Sequence, residues 1–311
     1  MLHPAFVEIH LGHLRHNLEQ VRRRLGPAEP IAVVKADAYG HGLVPVARTL
    51  QEAGMRHFAV ARLSEAVELR EAGITGSILL LGAAFPEDLA ACVAHEVEVT
   101  VSSPLLAEAV CAAAPRYGPL RVHVKVDTGM GRLGIWPEEA PEIIRRLEQT
   151  PGVTLVGLCT HLATAEQPGD PFVQEQLERF EQLWRQVGDA FAVRHVANSG
   201  ALFTLPSSYW SDSRQQARIG AALYGYLPVP SCPAQTNCVR SCASWPASCR
   251  FAPCRLALPS PTAAPGRPPA GAVSPSSAPA TATAFRVGCP IAVRWGCTGA
   301  DFPSWEPSAW T

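Results

Sequence analysis

Eight short β-rich runs separated by amphipathic stretches fill residues 31–219, and they restrict what this chain of 311 residues can fold into. In order they are Ile31 to Val34, His57 to Val60, Ile78 to Leu81, Val97 to Val101, Leu120 to Val126, Val153 to Cys159, Arg194 to Ala197 and Gln216 to Ile219. Stretches between them, such as Leu63 to Ala72, Pro137 to Gln149 and Phe172 to Val187, are long enough for helices, with Pro137 well placed at a helix start. Repeated βα units in this number predict an α/β fold, a (β/α)8 TIM-like barrel over residues 1–227. A doubly wound open sheet is the alternative at this stage. No G-x-G-x-x-G follows the first run, which weakens a dinucleotide-binding version of it.

The composition changes at residue 228. From Pro228 to Thr311 there is no Lys, His or Tyr, and Pro, Ser, Ala, Cys and Arg dominate. Seven of the ten cysteines lie here: Cys232, Cys238, Cys242, Cys249, Cys254, Cys289 and Cys297. The first five are separated by five, three, six and four residues, so no C-x-x-C pair arises, and without histidine a zinc site is not expected. Stretches such as 259–265 and 271–277 show neither strand nor helix periodicity. Residues 228–311 therefore read as an aberrant low-complexity tail, disordered or non-native.

A formal net charge of −1, and no basic run longer than Arg22-Arg23-Arg24, leave no electrostatic footprint for nucleic acid or an anionic membrane. The start, Met1-Leu2-His3-Pro4, lacks a basic segment followed by an apolar core, and no stretch approaches the roughly 20 apolar residues of a membrane span. The expectation is a soluble, cytoplasmic protein acting on a small molecule, with no metal.

Chemistry concentrates at the ends of the predicted strands. Lys35 and Lys125 are the only lysines; the remaining basic residues are arginines. Lys35 ends the run Ile31-Ala32-Val33-Val34 and precedes Ala36-Asp37-Ala38-Tyr39-Gly40-His41-Gly42, as a buried strand would deliver an amine to a loop. A desolvated lysine can shed its proton and add to an aldehyde, which arginine cannot; the plain alternative is a lysine whose head reaches water at a strand end. Lys125, Asp127, Thr128, Gly129, Gly131 and Arg132 follow the fifth run, His161 the sixth and Asn198 and Ser199 the seventh, while Arg218 and Gly220 end the eighth. A barrel gathers such residues on one rim.

If Lys35 carries pyridoxal 5'-phosphate, the rim offers what the cofactor needs. The N–H groups near Gly220 and Ala221, the Ser199 hydroxyl and the Tyr39 phenol suit a phosphate. Arg218 suits the ring nitrogen, and because a guanidinium only donates, that nitrogen stays unprotonated and the ring is a weaker electron sink. His161 is a partner that would orient Arg218, or a satisfied core histidine.

The run Val33-Val34-Lys35-Ala36-Asp37-Ala38-Tyr39-Gly40-His41-Gly42 resembles the cofactor-lysine motif of bacterial alanine racemases, fold-type III pyridoxal phosphate enzymes. Further likenesses follow in the family's order: Phe6 to Ile9 with His16-Asn17, Lys125 to Gly134, Gly157 to Ala163, His195 to Ala201, and Ala217 to Gly220 with Tyr224-Gly225. The resemblance covers about Phe6 to Tyr226. It implies a racemase interconverting L- and D-alanine for cell-wall precursors, and a homodimer. Lys35 would hold the cofactor and act as one base, with Arg132 and His161 as the other catalytic residues. Tyr39, His161, Asn198, Ser199, Arg218, Gly220, Ala221 and Tyr224 would bind cofactor, with Arg132 beside its phenolic oxygen and the substrate carboxylate. Lys125 matches the lysine often carbamylated in this family; the alternative is a lysine paired with Asp127.

The tail departs from that pattern. Family members continue into a β-rich domain supplying a second-base tyrosine to the partner's site, and residues 228–311 hold no tyrosine. Racemisation needs proton removal on one face of Cα and delivery on the other, so impaired turnover is predicted. The Ala, Pro, Arg, Ser and Cys of the tail resemble a GC-rich gene read out of frame, a frameshift. Two other outcomes stand beside a racemase: a barrel that binds the cofactor without turnover, and an unstable product.

Overall fold

The computed structural model describes residues 6–209, 214–226 and 292–296. The elements begin with β1 (Phe6–His10), α1 (Leu11–Leu25), β2 (Glu29–Val33), a six-residue turn α2 (Lys35–Gly40) and α3 (Leu43–Glu52). Then follow β3 (His57–Val60), α4 (Leu63–Glu71), β4 (Ser77–Leu80), α5 (Leu89–Ala94), β5 (Val97–Val101), α6 (Pro104–Tyr117) and β6 (Leu120–Lys125). The barrel is completed by α7 (Ala140–Glu148), β7 (Val153–Cys159), α8 (Pro171–Val187), β8 (Val193–Asn198), α9 (Ala201–Thr204) and β9 (Gln215–Ile219).

Strands β2 to β9 pair in sequence order, all parallel, and β9 closes on β2 with Glu29 opposite Gln216 and Ala32 opposite Ile219. The eight predicted strands are these eight, and closure rules out the doubly wound sheet. Successive strand residues face opposite sides. Ala32, Val34, Phe58, Val60, Ile78, Leu80, Val99, Val122, Val124, Leu158, Ala217 and Ile219 are buried in the main apolar core with the helices. Ile31, Val33, Ala59 and Leu79 form a separate small cluster. On β5, β6, β8 and β9 the positions alternating with the core set carry the polar residues Glu98, Thr100, His123, Lys125, His195, Gln216 and Arg218.

The helices bury one stripe each, as helical periodicity requires. In α1 the buried residues are Leu11, Leu14, Asn17, Leu18, Val21 and Leu25. The side chains of Ser103 and Asp170 accept the N–H groups of Leu106 and Phe172, capping α6 and α8 just before Pro104 and Pro171. Pro137 does not open a helix. It sits in a turn in which the Glu139 and Ala140 N–H groups donate to Trp136 O, and α7 starts at Ala140 with Pro141 in its first turn.

The tail reading falls on residues outside those described, except for β10 (Ala292–Gly296). This strand pairs in parallel with β1, Phe6 opposite Ala292, where the sequence reading places no regular element. Val293 and Trp295 are strand formers, and the edge of β1 offers backbone groups to pair with. Among the described residues no helix is long and apolar enough to cross a membrane.

Candidate functional site

A cavity of about 590 Å³ opens at the carboxyl ends of the strands. Lys35, Tyr39, Lys125, Arg132, His161, Asn198, Ser199, Arg218, Gly220 and Ala221 all line it, with Thr100, Cys159, Thr160 and Glu166. Of the predicted site residues, only Tyr224 is placed elsewhere. Its ring is fully buried behind Tyr39, at 5.0 Å between centroids, and its hydroxyl donates to Val33 O at 3.2 Å.

The segment after Lys35 adopts a left-handed turn. Ala36, Asp37, Ala38 and Tyr39 have φ between 52° and 57°, a region that L-residues other than glycine avoid at a cost of about 1–2 kcal/mol each. The surroundings over-determine it. Ala36 N–H donates to Glu65 Oε1 and Leu43 N–H to Asp37 Oδ1, both at 2.7 Å, while Ala38 N–H reaches Val34 O and Gly42 N–H reaches Asp37 O. The other Glu65 oxygen accepts from Ala61 and Arg62 N–H, tying the ends of β2 and β3 together. Backbone strain held this firmly marks segments that position functional groups; here it brings both Lys35 and Tyr39 to the cavity.

Opposite Tyr39, the chain leaves β9 through Gly220. A Cβ there would lie 2.4 Å from the Tyr39 hydroxyl, so glycine is what lets the phenol reach the backbone. Ser199 Oγ accepts from Gly220 N–H at 3.1 Å and Ala222 N–H at 3.3 Å, joining the ends of β8 and β9. Asn198 Oδ1 accepts from Ala201 N–H at 3.0 Å and holds the next turn. Phenol, hydroxyl and backbone N–H groups thus converge on one corner of the cavity.

Arg218 is buried, and four of its five N–H groups are engaged. NH1 donates to His195 Nδ1 at 2.7 Å and His195 O at 2.5 Å; NH2 donates to Thr160 O at 2.6 Å and Val196 O at 3.1 Å. The Nε–H alone has no protein acceptor among the described residues, and the side chain lines the cavity. The ring partner of Arg218 is therefore His195, whereas sequence reasoning gave that role to His161. His161 contributes its carbonyl, to Gln176, and its ring faces the cavity. Burial, then Arg218, Lys125, Arg132 and Lys35, push the His161 pKa down to about 3, so the imidazole is neutral.

Lys125 is not paired with Asp127. The Asp127 carboxylate accepts the N–H groups of Gly129, Gly131 and Arg132 at 2.9, 3.1 and 3.2 Å and shapes the loop that presents Arg132. Burial, with Arg218 and Arg132 nearby and Cys159 opposing, holds the Lys125 pKa below its ordinary value. Two lysines and two arginines line the cavity with one carboxylate, Glu166, so the site suits a small anion. Among the described residues no cluster of His, Cys, Asp and Glu could hold a metal. Sequence reasoning missed Glu65, Thr160 and His195; the signal available for His195 was a polar residue inside an apolar strand.

A closed parallel barrel with a lysine at its mouth, a hydroxyl-lined corner and a buried arginine defines a class of barrel with a cationic site for a small anionic ligand. The family model described as alanine racemase, N-terminal domain, matches residues 9–228. The alanine racemase of Desulforamulus reducens is 42% identical over 234 residues, covering 73% of this chain and 62% of that protein. That of a Nostoc species is 38% identical, covering 73% and 60%. Among solved structures, alanine racemase from Streptomyces coelicolor A3(2) superposes with a TM-score of 0.72 at 34% identity, over 77% of this chain and 65% of that one. A Clostridium difficile 630 alanine racemase in complex with cycloserine gives 0.70 at 33%, over 76% and 65%. The chain belongs to the alanine racemase N-terminal domain family. It spans about three fifths of the length of these curated relatives.

Proposed function

We propose that residues 1–227 bind pyridoxal 5'-phosphate and carry the racemase chemistry of the family on alanine. The observation that supports this most is the buried Arg218, whose Nε–H alone is without a protein acceptor among the described residues and whose side chain lines a cationic cavity together with Tyr39 and Ser199. The residues fit the cofactor: an amine for its aldehyde, donors for its phosphate and one donor for its ring nitrogen. When bound, the cofactor supplies an electron-withdrawing ring that acidifies the substrate Cα–H.

The rest belongs to the chain. Lys35 holds the aldehyde covalently and moves a proton at Cα from its own face. Tyr39, Ser199, Gly220 and Ala221 hold phosphate, with Asn198 bracing that corner and Tyr224 backing Tyr39. Arg218 donates to the ring nitrogen and never protonates it. A neutral His161 leaves the site without a fifth cation, and the exposed Arg132 receives the substrate carboxylate. The neutral amine of Lys125, favoured by its lowered pKa, can add carbon dioxide and lose a proton, giving an anion for Arg132 to pair with. Because residues 228–311 hold no tyrosine, the family's second-base tyrosine has no counterpart in them, and we read turnover as slow.

Mixing the protein with pyridoxal phosphate tests the reading. Visible absorption that disappears in Lys35→Ala supports it, and no absorption in wild type contradicts it. Conversion of L- to D-alanine at ordinary enzyme rates would contradict the assignment of slow turnover.

A further inference from the structure

Below the cavity, polar groups on the inner faces of four strands form a continuous chain. His195 Nδ1 accepts from Arg218 at 2.7 Å, His195 Nε2 meets His123 Nδ1 at 2.8 Å, and His123 Nε2 meets Glu98 Oε2 at 3.0 Å. Glu98 Oε1 in turn accepts from Arg121 Nε at 2.8 Å. Glu98, His123, His195 and Arg218 are all buried. Glu98, Arg121 and His123 line a second, smaller cavity of about 180 Å³ with Ile31, Leu79 and Gln216. The chain therefore runs from one barrel cavity to the other.

Donor and acceptor rules leave one arrangement. Arginine only donates, so His195 Nδ1 carries no proton and the ring is the Nε2–H tautomer. That Nε2–H donates to His123, whose Nδ1 must then be bare, and His123 Nε2–H donates to the Glu98 carboxylate. A doubly protonated ring at either position would set two donors against each other. Burial, then the charge of Arg218, hold the His195 pKa well below its ordinary value, which agrees with a neutral ring. Burial pushes the Glu98 carboxyl up, but its contacts with His123 and Arg121 outweigh this and keep it below its ordinary value.

The path passes over β7, because His123 lies on β6 and His195 on β8. Their side chains can meet only because residue 157, between them, has none: a Cβ on Gly157 would sit 2.4 Å from His123 Nδ1 and 2.9 Å from its Cε1. This glycine has an ordinary strand conformation, so space is what it provides.

We propose that His195, His123 and Glu98 are positioning residues, a tautomer-locked chain that holds the Arg218 guanidinium for the cofactor ring, with Gly157 as the opening through which it crosses the sheet. The inference rests on the reading of Arg218 as the ring-nitrogen partner. The chain orients and does not transfer a proton, since its source would have to be the Arg218 guanidinium, which keeps its protons.

Nitrogen-15 spectra of histidine-labelled full-length protein test it, with His123→Gln and His195→Gln used to assign the signals. In cofactor-free wild type both rings should read as neutral Nε2–H tautomers at neutral pH. Glu98→Gln, whose amide oxygen still accepts, should keep that pattern. Gly157→Ala should abolish the lock at His195 and weaken retention of pyridoxal phosphate on the order of tenfold, as loss of an orienting outer partner does, with the circular dichroism of the fold retained. An Nδ1–H or imidazolium signal at either ring in wild type overturns the proposal, as does altered tautomerism in Glu98→Gln. A folded Gly157→Ala with wild-type signals and cofactor retention overturns it as well. Should Gly157→Ala fail to fold, the wild-type and Glu98→Gln spectra decide. Because the tautomers are read without cofactor, absence of visible absorption would sink the cofactor reading and leave this measurement standing.

Discussion

The two ends of the barrel use charge in opposite ways. At the amino ends of the strands, Glu29 meets Arg56 and His57, with His57 also on Ser77, and Glu98 meets Arg121 and His123. At the carboxyl ends, Lys35, Lys125 and Arg132 have no ion-pair partner among the described residues, and Arg218 is held by neutral acceptors. Charges at the lower end are satisfied by the fold and stabilise it. Those at the upper end repel one another and suit an anionic ligand. Stability and function thus occupy different ends of one element set, as this architecture commonly arranges them.

Mutations that exchange these roles should expose the difference. The largest effect belongs to the lower end. Glu98→Ala leaves the buried His123 and the half-exposed Arg121 without their acceptor and should lose about 1–3 kcal/mol in denaturant unfolding; a loss under about 1 kcal/mol would mean that the lower charges are as dispensable as surface pairs.

Acid is the next lever, and it acts on both ends in the same direction. His161 titrates at about 3 in the fold and near 6.5 in the unfolded chain, so between these values only the unfolded state takes up the proton. Glu98, held below its ordinary 4.5, adds stability that is present above 4.5 and lost as pH falls through its folded value. The melting temperature should therefore fall as pH drops below about 6.5, more gently in His161→Gln; a rise on acidification through this window would refute the charge assignments.

At the upper end, Lys125→Met removes an amine that, while it carries no carbamate, can be charged only as a desolvated cation without an anion. The cofactor-free protein should gain on the order of 1 kcal/mol, a melting shift of roughly 2–4 °C, and a comparable loss would show that Lys125 is structural after all. The smallest effect is expected at Ala36, exposed at the start of the left-handed turn. Ala36→Gly relieves its positive φ at some entropic cost and should stabilise by up to about 1 kcal/mol, read by the same unfolding curves; destabilisation would mean that the turn is not strained there.

The barrel was legible because each strand is a compact apolar run and eight such runs with helical spacers have few other solutions. Pro137 misled because Pro141, four residues on, also suits a first helical turn. Strand β1 pairs with a segment nearly 300 residues away, a partnership with no local signature. Lys35 stood out by its scarcity, and the rim residues by their common place after strands. The Arg218 support did not, since Glu98, His123, His195 and Gly157 become neighbours only when the barrel closes. No local rule forecasts four left-handed residues without a glycine among them, because contacts from Glu65, Leu43 and Tyr224 impose that turn.

Reductive trapping bears most directly on the assignment of function. Protein incubated with pyridoxal phosphate, reduced with borohydride and digested should carry the pyridoxyl mass on the peptide containing Lys35 and leave the Lys125 peptide unlabelled. Label on Lys125, or on neither lysine, would contradict the account.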